Sequence, residues 1–203
     1  MYIISEICGQ WGGSMRKAEQ MILQSKFSGA DAVKIQLYDT FNMPGQNREK
    51  WAYLNFSKEQ FLKLKDYCDN INIDFFASCF ETKYFEWIVE ADIKINKIAS
   101  STLLDEKFVS HMLNSNLKTY ASLGHWEDKN NLPFLEHKNL SFLHCVSKYP
   151  HNYLEAQEKM PKEFSEESRI VGYSDHTIGI DACKLAASKD ATVIEKHFTL
   201  DKS

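Results

Sequence analysis

Breakers of regular structure are scarce in this 203-residue chain, which has four prolines and eight glycines. Loops are therefore expected to be few or short. Cysteine is sparse and unpatterned. Cys8, Cys68, Cys79, Cys145 and Cys183 form no CxxC pair, and their odd number and wide spacing exclude a disulfide framework. Reduced thiols and a cytoplasmic protein are the expectation. No long apolar run exists: every stretch falls short of the roughly 20 residues that span a bilayer, and Met1–Glu6 lacks a basic, signal-like start. No membrane partner is expected. Positive charge is in slight deficit, with 24 Lys and Arg against 28 Asp and Glu, a formal net charge of -4. That balance argues against a nucleic-acid groove.

Apolar residues are plentiful at 43 per cent, with 13 Phe and 9 Tyr, enough for a sizeable core in one domain over residues 1–203. Strand-like and helix-like periods alternate along the chain. Strands are expected at 2–7, 32–37, 73–78, 93–99, 117–122, 140–146, 169–174 and 191–198. Helices are expected at 14–28, 58–69, 82–91, 103–113, 153–160 and 179–189, whereas 125–138 is too polar and weakly periodic for a full crossover helix. Eight strands with crossover helices imply an α/β fold, a (β/α)8 TIM barrel, with a doubly wound sheet as the competing arrangement. Nothing in the chain supplies an eighth helix, so the barrel is expected to be truncated after strand eight. Ile3, Thr192 and Ile194 are then expected to be exposed, which favours a homo-oligomer.

Chemistry in such a barrel sits at the C-terminal ends of the strands. Polar residues collect there: Glu6, Lys34 with Gln36, Ser78, Lys97 with Ser100, Ser122, His144 followed by Ser147 and Tyr149, then Ser174, Asp175 and His176, then Glu195 and His197. Each has an ordinary alternative. A lone lysine snorkels to water, a serine caps the next helix, and a histidine donates to a carbonyl. Their convergence favours a ligand, because burying so many polar groups without one is costly. His176 and His197 close successive strands. Two neutral imidazoles make a weak divalent-metal site with open positions, and Asp175 or Glu195 could orient them or handle protons. A capping turn beside an unrelated strand histidine is the alternative. Trp51 and Trp87 look like packing residues, while Trp11 and Trp126 lie in loops that could line the mouth.

The chain resembles the N-acetylneuraminate (sialic acid) synthase family, which includes legionaminic and other nonulosonic acid synthases. The resemblance rests on Gly29–Gln36, Lys97–Ser100, His144–Pro150, and above all Gly172–Gly179 (GYSDHTIG) and Ile194–Asp201 (IEKHFTLD), in family order. It implies condensation of phosphoenolpyruvate with an N-acyl-hexosamine, such as N-acetylmannosamine or a related bacterial sugar, to a nonulosonic acid and phosphate. By the same resemblance His176 and His197 hold Mn2+ or Mg2+. Lys34, Ser78, Lys97, Ser100, Ser122, Ser147 and Ser174 bind phosphoenolpyruvate, and Tyr149 contacts the sugar. Glu6, with Lys34 and Glu195, stands at the reacting carbons. The chain departs from the family at Gln10-Trp11-Gly12-Gly13, where Asn-His-Asn-Gly is usual, and at Ser122-Leu123-Gly124, where Ser-Thr-Gly is usual. The family continues beyond Ser203 into an eighth helix and a small antifreeze-like domain. Two other functions fit the residues alone: a metal-dependent aldolase or sugar-phosphate isomerase, and an inactive barrel serving as a binding or scaffold domain.

Overall fold

The computed structural model describes residues 1–42 and 48–201. Its strands are β1 (Tyr2–Glu6), β2 (Ala32–Leu37), β3 (Asp74–Cys79), β4 (Ile95–Ile98), β5 (Lys118–Ser122), β6 (Leu140–His144), β7 (Ile170–Asp175) and β8 (Val193–His197). They follow one another in sequence order as a closed barrel. Among the described residues the α-helices are α1 (Met15–Phe27), α2 (Lys58–Asn70), α3 (Thr82–Glu90), α4 (Glu106–Leu113), α5 (Tyr153–Lys159) and α6 (Asp181–Ala187). The fold is thus the expected (β/α)8 type, with six α-helices among the described residues. A 3-10 segment at Arg48–Leu54, which the sequence pattern did not announce, precedes α2.

Local chemistry explains most boundaries. Ser14, Ser57, Asp105 and Asn152 cap α1, α2, α4 and α5 by accepting from backbone N–H groups in the first turn. Ser57 and Gln60 complete a reciprocal capping box. Few glycines are available for left-handed exits. Asn72, Asp92, Asn116 and Asp190 take positive φ instead, between 54° and 68°, as the residue types that best tolerate it.

The chain divides into two compact units, Met1–Ile4 with Ile95–Lys196, and Ser5–Lys94 with the residues from His197 onward. In the first, β4 to β8 pair in parallel, with Lys97 beside Tyr120, Ser122 beside Leu143 and Ser174 beside Glu195. A register shift interrupts the β6–β7 ladder at Phe142/Leu143. No helix links β5 to β6. The coil there is held by its own side chains: Trp126 Nε1 donates to the Asp128 and Asn131 carbonyls, and Lys129 Nζ to those of Leu123 and Trp126. Ala156, Met160, Phe164, Tyr173, Ala182 and Ala186 pack with Ile194, and Ile3 lies against them. This corrects the expectation of an exposed Ile194: α6 covers it, and only Thr192 of the three is exposed.

In the second unit β2 pairs with β3 in parallel, with Gln36 beside Ser78. Phe61, Leu64 and Cys68 form the buried face of α2. Trp11 does not line an open mouth. It is buried and stacks on Phe56 with ring centroids 4.2 Å apart. Gly13 makes room for this loop, since a Cβ there would meet the Tyr53 carbonyl oxygen at 2.7 Å. Trp87 packs as expected against Phe61 and Tyr84, whereas Trp51 is exposed rather than packed.

Candidate active site

Within the first unit, Lys97 is the centre of a buried polar network. Its ammonium donates to Ser122 Oγ at 2.7 Å and to the Ile98 carbonyl at 3.2 Å, and lies 3.9 Å from Glu195 Oε2. Ser174 Oγ donates to Glu195 Oε1 at 2.9 Å. Strand alternation produces this: Lys97, Ser122 and Ser174 occupy the penultimate or last position of their parallel strands, Glu195 pairs in register with Ser174, and neighbours in register share a face. Three more hydroxyl and thiol groups gather at Gly124. Ser100 Oγ accepts the Gly124 N–H at 3.1 Å and lies 3.2 Å from Cys145 Sγ. A Cβ on residue 124 would sit 2.0 Å from Ser147 Oγ, 2.7 Å from Cys145 Sγ and 2.8 Å from Ser100 Oγ. The hydroxyls, with no bulky side chain among them, form a polar cradle with the donor chemistry a small anion needs. A cavity of about 690 Å³ opens beside it, lined by Gly124, Ser147, Lys129, Trp126 and His144 among others.

His176 follows β7 and is largely buried. Its Nδ1 bonds the Val146 carbonyl at 2.8 Å, and its Nε2 bonds the Tyr149 hydroxyl at 2.8 Å. Since a carbonyl only accepts, Nδ1 carries the proton and Nε2 holds the lone pair in the neutral ring. The Tyr149 ring stacks on the imidazole at 3.9 Å. Asp175 is not available to orient His176. Its carboxylate accepts from Tyr173, from the Thr177 N–H and hydroxyl, and from Lys196 at 2.5 Å. Burial works to raise the Asp175 pKa, but Lys196 and the Thr177 N–H outweigh it and hold the group below the usual carboxylate range.

In the second unit Lys34 and Glu6 form a buried ion pair, and Lys34 also donates to Ser78 Oγ at 3.1 Å. Glu6 Oε1 accepts the Cys8 N–H at 2.7 Å. Burial first, then the Glu6 charge, pushes the Cys8 thiol far up, and burial does the same to Cys79, so neither is a thiolate nucleophile. All five cysteines are free thiols. His197, half-buried, ends β8, and the next residue anchors the strand through Phe198 N–H to the Glu6 carbonyl at 2.9 Å.

Comparisons with known proteins place the chain in a family. The family model described as NeuB matches residues 21–203. The chain belongs to the NeuB family. It is 28% identical to an N,N'-diacetyllegionaminic acid synthase of Legionella pneumophila, over all of this chain and 65% of that protein. It is 31% identical to a pseudaminic acid synthase of Campylobacter jejuni, over all of this chain and 66% of that one. Among solved structures, an N-acetylneuraminic acid synthetase from Leptospira borgpetersenii superposes with a TM-score of 0.87 at 30% identity, covering 98% of this chain and 73% of that one. The chain spans a little under two thirds of the length of the first curated relatives it matches.

NeuB membership implies metal-dependent chemistry. Among the described residues no group of three or more His, Cys, Asp or Glu side chains could hold an ion. In this NeuB chain one expected direction is corrected. His144 does not join the anion cradle. It lies on the other face of β6 from Leu143, in register with Tyr173 and stacked on it. Burial, aided by Lys129, His151 and Lys159, pushes its pKa down to about 4. Sequence reasoning missed two residues beside the cluster: Cys145 among the serines, and Lys129 in the coil. Only the adjacency of Cys145 to His144 in the motif gave any signal for the first.

Proposed function

We propose that this chain carries the phosphoenolpyruvate-binding and metal-binding barrel of a nonulosonic acid synthase. The reaction condenses phosphoenolpyruvate with an N-acyl-hexosamine and releases phosphate. The observation that carries the reading is the buried Lys97 network with the hydroxyl cradle at Gly124. Phosphoenolpyruvate brings nearly three negative charges, and fixed ammonium and hydroxyl donors hold such a ligand without reorganising. Lys97, Ser100, Ser122, Ser147 and Ser174 supply these donors within one unit.

In the proposed chemistry, C3 of phosphoenolpyruvate attacks the aldehyde carbon of the open-chain sugar and forms the new C–C bond. Water then adds at C2, and the C2–O bond to phosphate breaks. In this reading Glu195, which accepts from the Ser174 hydroxyl, takes the proton from that water. A divalent manganese or magnesium ion, when bound, supplies Lewis-acid polarisation of the aldehyde. The donor chemistry of His176 fits such an ion: Val146 fixes the Nδ1 proton, as the outer partner of a metal-bound imidazole does, and Nε2 carries the lone pair. His197 would be the second ligand, and Tyr149 would meet the acceptor sugar. Free thiols at all five cysteines suit a cytoplasmic setting.

The test is incubation of the chain with phosphoenolpyruvate carrying 18O in the bridging C–O–P position, Mn2+ and a panel of N-acyl-hexosamines. The reading predicts a nonulosonic acid and phosphate that retains the label. Label left in the sugar acid, or a folded chain that binds neither phosphoenolpyruvate nor Mn2+, contradicts it.

A further inference from the structure

Tyr149 and His176 lie 27 residues apart, and both belong to the first unit. The imidazole has one lone pair, on Nε2, because the Val146 carbonyl holds the Nδ1 proton at 2.8 Å. The Tyr149 hydroxyl occupies that lone pair at 2.8 Å. A hydrogen-bond acceptor and a cation ligand are the same electrons, so the nitrogen can serve the phenol or a metal, not both. Rotating the ring by 180° would present the other nitrogen only by giving up the Val146 bond.

We infer that the Tyr149 hydroxyl is a reversible cap on the metal-ligating nitrogen of His176, and that a divalent cation binds by displacing it. The inference rests on the reading of His176 as a metal ligand and adds the regulation of that ligand by a residue of the same chain.

The geometry suits a cap that leaves. Tyr149 is 66% exposed, whereas His176 is 9% exposed. The phenol therefore moves into water at little loss of buried area, and its hydroxyl regains hydrogen bonds there. The imidazole stays fixed by Val146. The cap also covers a buried nitrogen that would otherwise face the cost of an unmet hydrogen bond in the metal-free protein. The stacked ring, with centroids 3.9 Å apart, covers one face of the same imidazole. Released, the hydroxyl is free to bond an acceptor sugar, so cation binding and sugar binding draw on one side chain. The order follows: cation first, hydroxyl to the sugar second.

Tyr149→Phe tests this cleanly, since it deletes the hydroxyl and keeps the stacking ring. Free Mn2+ is titrated by electron paramagnetic resonance against the whole chain, the Tyr149→Phe variant and the His176→Ala variant, with melting curves to show that each is folded. Removing one neutral hydrogen bond that competes with the ion should tighten Mn2+ binding roughly three- to tenfold. His176→Ala should abolish most of it. A second readout needs no metal. The 15N resonance of His176 Nε2 in the metal-free chain should shift in Tyr149→Phe, as the ring loses its proton donor. Unchanged or weaker Mn2+ binding in Tyr149→Phe, with binding lost in His176→Ala, overturns the cap while leaving the metal ligand standing. Unchanged Mn2+ binding in His176→Ala removes the metal reading and the cap with it. An unmoved 15N resonance also overturns the cap.

Discussion

The Lys97 ammonium and the Glu195 carboxylate face each other at 3.9 Å, with side chains only 2% and 8% exposed. Ser122 and Ser174 take the near hydrogen bonds on either side, at 2.7 and 2.9 Å. The pair is long enough for an anion to compete for the lysine and close enough for the charges to compensate when none is bound.

Charge compensation has a stability consequence. Lys97→Met should cost on the order of 3 kcal/mol, because it leaves the Glu195 carboxylate buried without that counter-charge. Urea unfolding monitored by circular dichroism measures the loss. Adding Glu195→Gln to the same chain should restore most of it. A double variant no more stable than the single one would show that the two charges are not coupled.

Gly124 is the second point of leverage. In Gly124→Ala the new methyl carbon falls 2.0 Å from Ser147 Oγ and 2.8 Å from Ser100 Oγ. Both hydroxyls sit at the ends of short, rotatable side chains, so the fold should survive while the donors turn away. Phosphoenolpyruvate affinity is expected to drop at least roughly tenfold, the worth of one charge-assisted hydrogen bond. Isothermal calorimetry reads it, and an affinity equal to that of the unmodified chain would place the anion elsewhere.

His144 makes stability depend on pH. Its folded pKa lies near 4, below the ordinary value of 6.5, because burial disfavours the charged ring. Above pH 6.5 both states hold it neutral. As pH falls from 6.5 toward 4 the unfolded chain takes up a proton that the folded chain refuses, so stability is lost across that window and levels off below it. The loss is roughly 3 kcal/mol. His144→Phe, which keeps a ring on Tyr173, should flatten the unfolding free energy between pH 7 and pH 4.5. An unchanged slope in the variant would assign the pH dependence to other groups.

Much of this was legible in the residues, and the rest was not, for physical reasons. Strand ends and their polar residues follow from local alternation, so the sequence placed Lys97, Ser122, Ser174 and Glu195 in advance. The absence of a helix at 125–138 was legible too, as missing periodicity. Direction was harder. Strands covered on both faces are apolar throughout, and nothing local says which face is which. His144 takes its neighbour from the ladder, in register with Tyr173. Trp11 depends on Phe56, and Tyr149 on His176, partners brought together only by the completed fold. Asp175 was read as a neighbour of His176 in sequence, but its carboxylate is taken up by Lys196 and Thr177.

In the proposed site one set of residues holds phosphoenolpyruvate and another a divalent ion, and calorimetry on two variants separates the two. His197→Ala should lose most of its Mn2+ affinity and keep phosphoenolpyruvate binding. Lys97→Met should keep Mn2+ binding and lose roughly ten- to hundredfold in phosphoenolpyruvate affinity, as expected for a hydrogen bond to a charged group. Mn2+ affinity unchanged in His197→Ala, or phosphoenolpyruvate affinity unchanged in Lys97→Met, would contradict the account.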